Sequence, residues 1–180
     1  RGAKSSGSRF YYLKNEAVEL EWALLVWLTD FFKKERFRLL ITPELVQKEV
    51  MLASGYLPLG EEDVYRVDQD ELYLVGTAEQ SILGYHLGEI LPAEELPLRY
   101  LGFSSSFRRE AGSYGKDIRG IIRTHQFDKL EMFSFVQPQD SEKEHEYLVK
   151  LEEKILQALE LPYQGFSGSG GLGPLGSEKD

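Results

Sequence analysis

The sequence contains no cysteine in its 180 residues. That excludes disulfides and thiolate metal centres, and it fits a reducing compartment. Histidine is scarce: His86, His125 and His145 are scattered, with no partner at a recognised metal-binding spacing, so no metal site is expected. No apolar run is long enough to cross a bilayer, and the opening RGAKSSGSRF lacks the apolar core of a secretory signal, so no membrane partner and a cytoplasmic location are expected. Neither GxxxxGK[ST] nor GxGxxG occurs, which removes the common glycine-rich phosphate cradles. Net positive charge is also missing. With 21 Lys and Arg against 30 Asp and Glu, the net charge of −9 by itself speaks against a nucleic-acid partner.

The charge that is present is uneven. Arg99, Arg108, Arg109, Lys116, Arg119 and Arg123 lie within one stretch opposed only by Glu110 and Asp117. A local cationic patch on an acidic body suits a polyanionic ligand such as a nucleotide or an RNA end. A solvated basic surface is the plainer alternative, and charge alone does not choose between them.

The length allows one domain with a sizeable core. After Asn15, an N-cap residue type, the segment NEAVELEWALLVWLTDFFKKERF places Leu20, Leu24, Trp27 and Phe31 on one helical face, a stripe wide enough to bury two sides. FRLLIT reads as a strand ended by Pro43, and ELVQKEVMLAS as a helix stopped by Gly55. DVYRV and ELYLVG resemble a strand pair. TAEQSILGYHLGEI reads as a helix that Thr77 is placed to cap, with Glu79 in its first turn. LPLRYLGFSSSFRRE and IIRTHQFDKLEMFSFV are the longest strand candidates. From Ser141 a further helix is expected, with Ser141 and Glu144 at capping-box spacing. Several antiparallel strands among helices make this an α+β pattern rather than alternating βαβ. Residues 1–163 form the expected domain, and the Gly/Ser-rich 164–180 reads as a linker or disordered tail.

Joined as a hairpin, the two long strands put Arg108 and Glu110 on one face, and Arg123, His125, Phe127, Lys129, Glu131 and Phe133 on one face of the second strand. Arg123 to Phe127 and Phe127 to Glu131 each span roughly 13 Å, a row comparable to an extended nucleotide carrying a substituent. Arginine offers a planar fork of donors to phosphate or carboxylate, phenylalanine a face on which a base stacks, and a carboxylate an acceptor for an amine or hydroxyl. A solvent-exposed ladder of ion pairs is the competing reading of the same alternation. His125 reads as a packing or hydrogen-bonding residue, and Lys129 as an ion-pair partner.

The run FRREAGSYGKDIRGIIRTHQFDKLE resembles motif 2 of class II aminoacyl-tRNA synthetases in their seryl form. GTAE at Gly76–Glu79 resembles the serine-binding element of that family, and the long helix with FRLLIT and Pro43 resembles motif 1. GYLP at Gly55–Pro58 and ELPLRY at Glu95–Tyr100 also match, so the resemblance runs from about Ser5 to Tyr163. It implies a class II antiparallel sheet flanked by helices, dimeric through motif 1. It also implies an enzyme, a serine–tRNA ligase. This would form seryl-adenylate from serine and ATP with Mg2+, then pass the seryl group to tRNA(Ser).

By that resemblance Arg108 would bridge the serine carboxylate and the α-phosphate as the catalytic residue. Thr77, Ala78, Glu79 and Glu131 would hold serine. Arg109, Glu110, Arg123 and Phe127 would join Arg108 in binding ATP, with Phe127 stacking on adenine, Glu110 at the adenine amino edge or ribose and Arg123 at the outer phosphates. Lys116 and Arg119, in a mobile loop, would reach ATP or the acceptor end. Motif 3 and the tRNA-binding arm of the family have no counterpart in the sequence, so a truncated catalytic core with impaired activity is expected. A non-catalytic fragment that binds ATP or dimerises, and a synthetase-like ligase acting on a carrier protein, are the alternatives.

Overall fold

The computed structural model describes residues 2–111 and 122–164, and divides into two compact units, Arg1–Phe135 and Val136–Asp180. The first unit begins with a single-turn helix α1 (Gly2–Ser5), a long helix α2 (Glu16–Lys34) and strand β1 (Arg38–Ile41). Strand β2 (Leu45–Val46), helix α3 (Lys48–Ala53), strands β3 (Arg66–Val67) and β4 (Leu72–Leu74), and helix α4 (Ala78–Tyr85) follow. The long hairpin strands β5 (Leu98–Phe107) and β6 (Gln126–Phe135) complete it. The second unit holds helix α5 (Ser141–Ala158), entered through a 3-10 turn at Pro138–Asp140.

Two three-stranded sheets organise the first unit. In one, β5 lies between β1 and β6. The β5–β6 hairpin pairs antiparallel from Leu98↔Phe135 to Phe107↔Gln126 without a break. Its period-2 burial puts Leu98, Tyr100, Gly102, Ser104 and Ser106 on a single face, all buried. The β1–β5 pairing is parallel, Arg38↔Tyr100 to Ile41↔Phe103, so the main sheet is mixed rather than wholly antiparallel. The smaller sheet, with β4 between β2 and β3, is antiparallel throughout.

Helix α4 packs on the hairpin through Ala78 and Ile82, both fully buried with Leu98 and Tyr100. Gly102 makes the close approach possible. A Cβ there would stand 2.6 Å from Ile82 Cδ1 and 3.2 Å from Ala78 Cβ. A second core joins Val46, Val50, Met51, Leu57, Val64, Tyr73 and Val75, tying the small sheet to α3.

Several sequence expectations change. The segment ELVQKEVMLAS is not one helix, because Leu45 and Val46 pair with Leu74 and Tyr73, and the helix starts only at Lys48. Helix α2 buries Phe32, which stacks edge-on with Phe31 and Phe37, but Leu20, Trp22 and Val26 are 71%, 63% and 63% exposed. Among the described residues, the helix is therefore covered on one flank only. The hairpin strands stop short of Glu110 and of Arg123–His125. Glu110 adopts a left-handed backbone (φ 55°), which breaks the strand alternation expected to pair it with Arg108. The Ser141–Glu144 capping box does not form, since the 3-10 turn begun by Pro138 carries the chain into the helix with Ser141 already helical. Residues 165–180 of the expected tail lie outside the described residues.

Candidate active site

Alternation along β6 brings Phe127, Lys129, Glu131 and Phe133 to the face on which α4 packs, opposite Ser106, Ser104, Gly102 and Tyr100. Because Gly102 is the register partner of Glu131, the tight helix–sheet contact lowers the N-terminus of α4 directly onto that carboxylate. Thr77 occupies the N-cap position, yet its hydroxyl makes no bond within the helix. It donates to Glu131 Oε2 instead, and the Glu79 backbone N–H donates to the same oxygen at 3.0 Å. A side chain from a distant strand thus caps the helix, with its negative charge at the positive end of the helix dipole.

Lys129 closes the cluster. Its ammonium donates to Thr77 Oγ1 at 2.9 Å and to Glu131 Oε1 at 2.7 Å. Thr77 is fully buried, and the Lys129 and Glu131 side chains are only 26% and 13% exposed.

Glu79 stands beside this group in the first turn of α4. No side chain among the described residues bonds its carboxyl. Burial first, and then the negative charge of Glu131, push its pKa up to about 7, with Lys129 pulling the other way. The Tyr56 hydroxyl, from the turn after α3, shares the same field. Burial, with Glu79 and Glu131 adding to it and Arg108 opposing, raises it to about 12, so Tyr56 remains a proton donor at neutral pH.

The other end of the face belongs to Arg108. Its Nε donates to the Gly76 carbonyl at 3.1 Å, and its guanidinium carbon lies 5.2 Å from the centre of the Phe127 ring. The link to Gly76 ties Arg108 to the residue just before Thr77, so both ends of the face depend on the β4–α4 junction. The Arg108 backbone is held twice by His125. Its N–H donates to the His125 carbonyl at 2.9 Å, and His125 Nδ1–H donates back to the Arg108 carbonyl at 3.0 Å. With its ring against Phe10 and Tyr65, His125 is a packing and hydrogen-bonding residue, as its lack of an assigned role suggested.

Beyond the strand end, Arg123 Nη1 donates to Glu110 Oε2 at 2.6 Å. Asp63 brackets Glu110. Its backbone carbonyl accepts from Arg109 N–H at 2.8 Å, and its carboxylate accepts from Ala111 N–H at 2.7 Å.

Of the expected site residues, the structure therefore gathers Thr77, Glu79 and Glu131 at one end and Arg108 with Phe127 at the other. Glu110 pairs with Arg123 off the strand face, and the Arg109 side chain is exposed. The methyl group of Ala78 is spent on the Gly102 contact. Lys116 and Arg119, expected in a mobile loop, lie outside the described residues. Sequence reasoning left Lys129 as an ordinary ion-pair partner and gave no role to Tyr56 or Asp63. For Lys129 the signal was present, since it alternates between Phe127 and Glu131. Tyr56 and Asp63 reach the site only through tertiary contacts.

The family model described as tRNA synthetase class II core domain (G, H, P, S and T) matches residues 64–173. A serine–tRNA ligase of Dictyoglomus thermophilum is 52% identical over 165 residues, covering 91% of this chain and 39% of its own length. Serine–tRNA ligase 1 of Streptomyces avermitilis is 49% identical over 180 residues, covering 99% of this chain and 42% of its own. The chain thus spans about two fifths of these relatives. Among solved structures, the seryl-tRNA synthetase of Pyrococcus horikoshii complexed with ATP superposes with a TM-score of 0.87 at 44% identity, over 91% of this chain and 36% of that one. The cytoplasmic serine–tRNA ligase of Naegleria fowleri in complex with AMP gives 0.83 at 34% identity, over 88% and 38%.

Proposed function

Because the chain belongs to the class II tRNA synthetase core-domain family, we propose that it is the part of a seryl-tRNA synthetase that binds serine and ATP and joins them. A serine carboxylate oxygen attacks the α-phosphorus of ATP. The bond to the β-phosphate oxygen breaks, and pyrophosphate leaves with the electron pair, giving seryl-adenylate. Magnesium enters with the nucleotide as part of the substrate. A hydroxyl at the 3′ end of tRNA(Ser) then attacks the seryl carbonyl carbon, the acyl–phosphate bond breaks, and AMP leaves as the seryl ester forms.

The observation that carries this reading is the sharing of one sheet face by two unlike ends. A cationic and aromatic end, Arg108 with Phe127, suits a purine and its phosphates. An anionic end, Glu79 beside Glu131, suits an ammonium group. Adenine stacks on Phe127, and Arg108 stands at the junction of base and phosphate, where its remaining donors meet the charge that grows on the α-phosphate oxygens. Glu79 receives the serine ammonium, with Thr77 and Glu131 completing that pocket. Glu110 and Arg123 meet the nucleotide beyond Phe127, Arg109 joins them, and Lys116 and Arg119 reach the phosphates or the acceptor end. The bare flank of α2 at Leu20, Trp22 and Val26 supports pairing of two copies through that helix, and the cysteine-free sequence suits work in the cytoplasm.

ATP–pyrophosphate exchange on the purified chain, with each amino acid in turn, tests the reading. Exchange dependent on serine alone is the expected result. Exchange driven by another amino acid contradicts the serine assignment. ATP binding without any exchange assigns this portion of the synthetase a binding role only.

A further inference from the structure

The serine pocket just proposed contains one charged group to which that reading gives no task. Lys129 donates to Thr77 Oγ1 at 2.9 Å and to Glu131 Oε1 at 2.7 Å, and is three-quarters buried in doing so. An ordinary surface ion pair would have one partner and free rotation. Lys129 instead bridges two groups that come from different elements, the N-terminus of α4 and strand β6.

The consequence follows from counting acceptors. Glu131 Oε2 takes two donors, Thr77 Oγ1–H and Glu79 N–H, which fills its lone pairs. Oε1 takes one, from Lys129, and keeps one lone pair for a ligand. With Lys129 bonded to Oε1, the carboxylate plane is fixed, and so is the direction of that remaining lone pair. Lys129 also donates to the Thr77 hydroxyl oxygen, which leaves the hydroxyl hydrogen committed to Glu131. Without the ammonium, Glu131 could rotate about its terminal bond, and its second oxygen would lose its one partner among the described residues.

We infer that Lys129 is a positioning residue of the serine pocket, which orients Glu131 and Thr77 for the substrate ammonium and hydroxyl without contacting the reacting atoms. The inference rests on the serine reading for its ligand, but the orientation of Glu131 is a property of the protein alone. The charges facing Lys129 are Glu131 on its own strand and Glu79 on α4. Arg108, just past the end of β5, acts together with the two carboxyls on the Tyr56 hydroxyl.

Two readouts on wild type, Lys129→Met and Lys129→Arg decide it. The first is amide hydrogen exchange at Glu79, whose N–H is held by Glu131 Oε2. In Lys129→Met its protection should fall by about tenfold relative to amides deeper in α4, such as Leu83, because a charge-assisted bond has lost its orienting partner. Unchanged relative protection overturns the inference. Equal loss across the helix also overturns it, because the role would then be plain stability.

The second readout is calorimetric binding of a non-hydrolysable sulfamoyl analogue of seryl-adenylate and of ATP. Lys129→Met should weaken the analogue about tenfold or more while leaving ATP within about twofold, and Lys129→Arg should recover part of the loss. Equal weakening of both ligands, or none, contradicts the inference. If the wild-type chain binds neither ligand, the serine-activation reading fails for this chain, and the Glu79 exchange rate still decides whether Lys129 orients Glu131.

Discussion

The two ends of the candidate site are built by different means. The anionic end rests on regular structure. Glu131 and Lys129 project from the middle of a paired strand, Thr77 and Glu79 from the N-cap and first turn of a helix, and Gly102 lets the two elements approach closely. The cationic and aromatic end rests on a strand terminus and a turn. Arg108 lies one residue past the last ladder pair, Glu110 is in a left-handed conformation, and Asp63, from a distant turn, holds the backbone on either side of it. The contrast teaches a division of labour. In the proposed reading, the ammonium group falls to side chains held in a helix–sheet contact, and the phosphates to side chains carried by irregular backbone.

The largest effect is expected from Arg108, whose bond to the Gly76 carbonyl ties its end of the face to the residue before Thr77. Arg108→Ala should lower serine-dependent pyrophosphate exchange by about 10²–10³-fold, the size expected for a donor acting on transition-state charge, with the circular dichroism spectrum unchanged. A loss confined to KM would remove Arg108 from the chemical step. Next is Phe127→Ala, which should weaken ATP binding by about 1–3 kcal/mol in calorimetry, the worth of one base stack. Unaltered ATP affinity would show that adenine stacks elsewhere. Gly102→Ala probes the anionic end through its scaffold. The added methyl must displace Ile82 or Ala78, costing about 1–3 kcal/mol in urea unfolding, and serine-dependent affinity should fall further than ATP affinity. The smallest effect is expected for Asp63→Ala, about 1 kcal/mol in ATP affinity with serine affinity unchanged, because it removes a single hydrogen bond from the Glu110 turn. If Asp63→Ala proved as costly as Arg108→Ala, the turn would be rigid and the contrast between the two ends would collapse.

The hairpin was legible because period-2 alternation is local. Phe127, Lys129 and Glu131 could be placed on one face from spacing alone, and the register confirms it. Where alternation ends was not legible. Glu110 leaves the strand where one residue, Asp63, 48 positions before Ala111, holds both of its neighbours, and no local pattern carries that. Thr77 read as a helix cap because Thr before a helix usually is one. Its hydroxyl turned to Glu131 instead, a partner 54 residues on. The start of α3 was misread for a related reason. Leu45 and Val46 fit a helical pattern, but strand pairing with β4 claimed them. The parallel pairing of β1 was equally hidden, since strand direction is decided by the course of the chain between β1 and β5 and not by the residues of either strand.

The central claim is that one sheet face reads both ends of a single ligand. It is tested most directly by comparing the calorimetric affinity of the sulfamoyl analogue of seryl-adenylate with that of AMP, at about pH 8 and about pH 6. Glu79, with its pKa pushed up to about 7, is largely ionised at the higher pH and largely protonated at the lower. Binding an ammonium group favours the ionised form, so the affinity gained from the seryl group should grow as pH rises. The account predicts that the analogue outbinds AMP by about tenfold or more at the higher pH, that the advantage shrinks at the lower pH, and that Glu79→Gln removes its pH dependence. Equal affinity for the two ligands at both pH values would contradict it, because the anionic end would then have no part in binding what the nucleotide end holds.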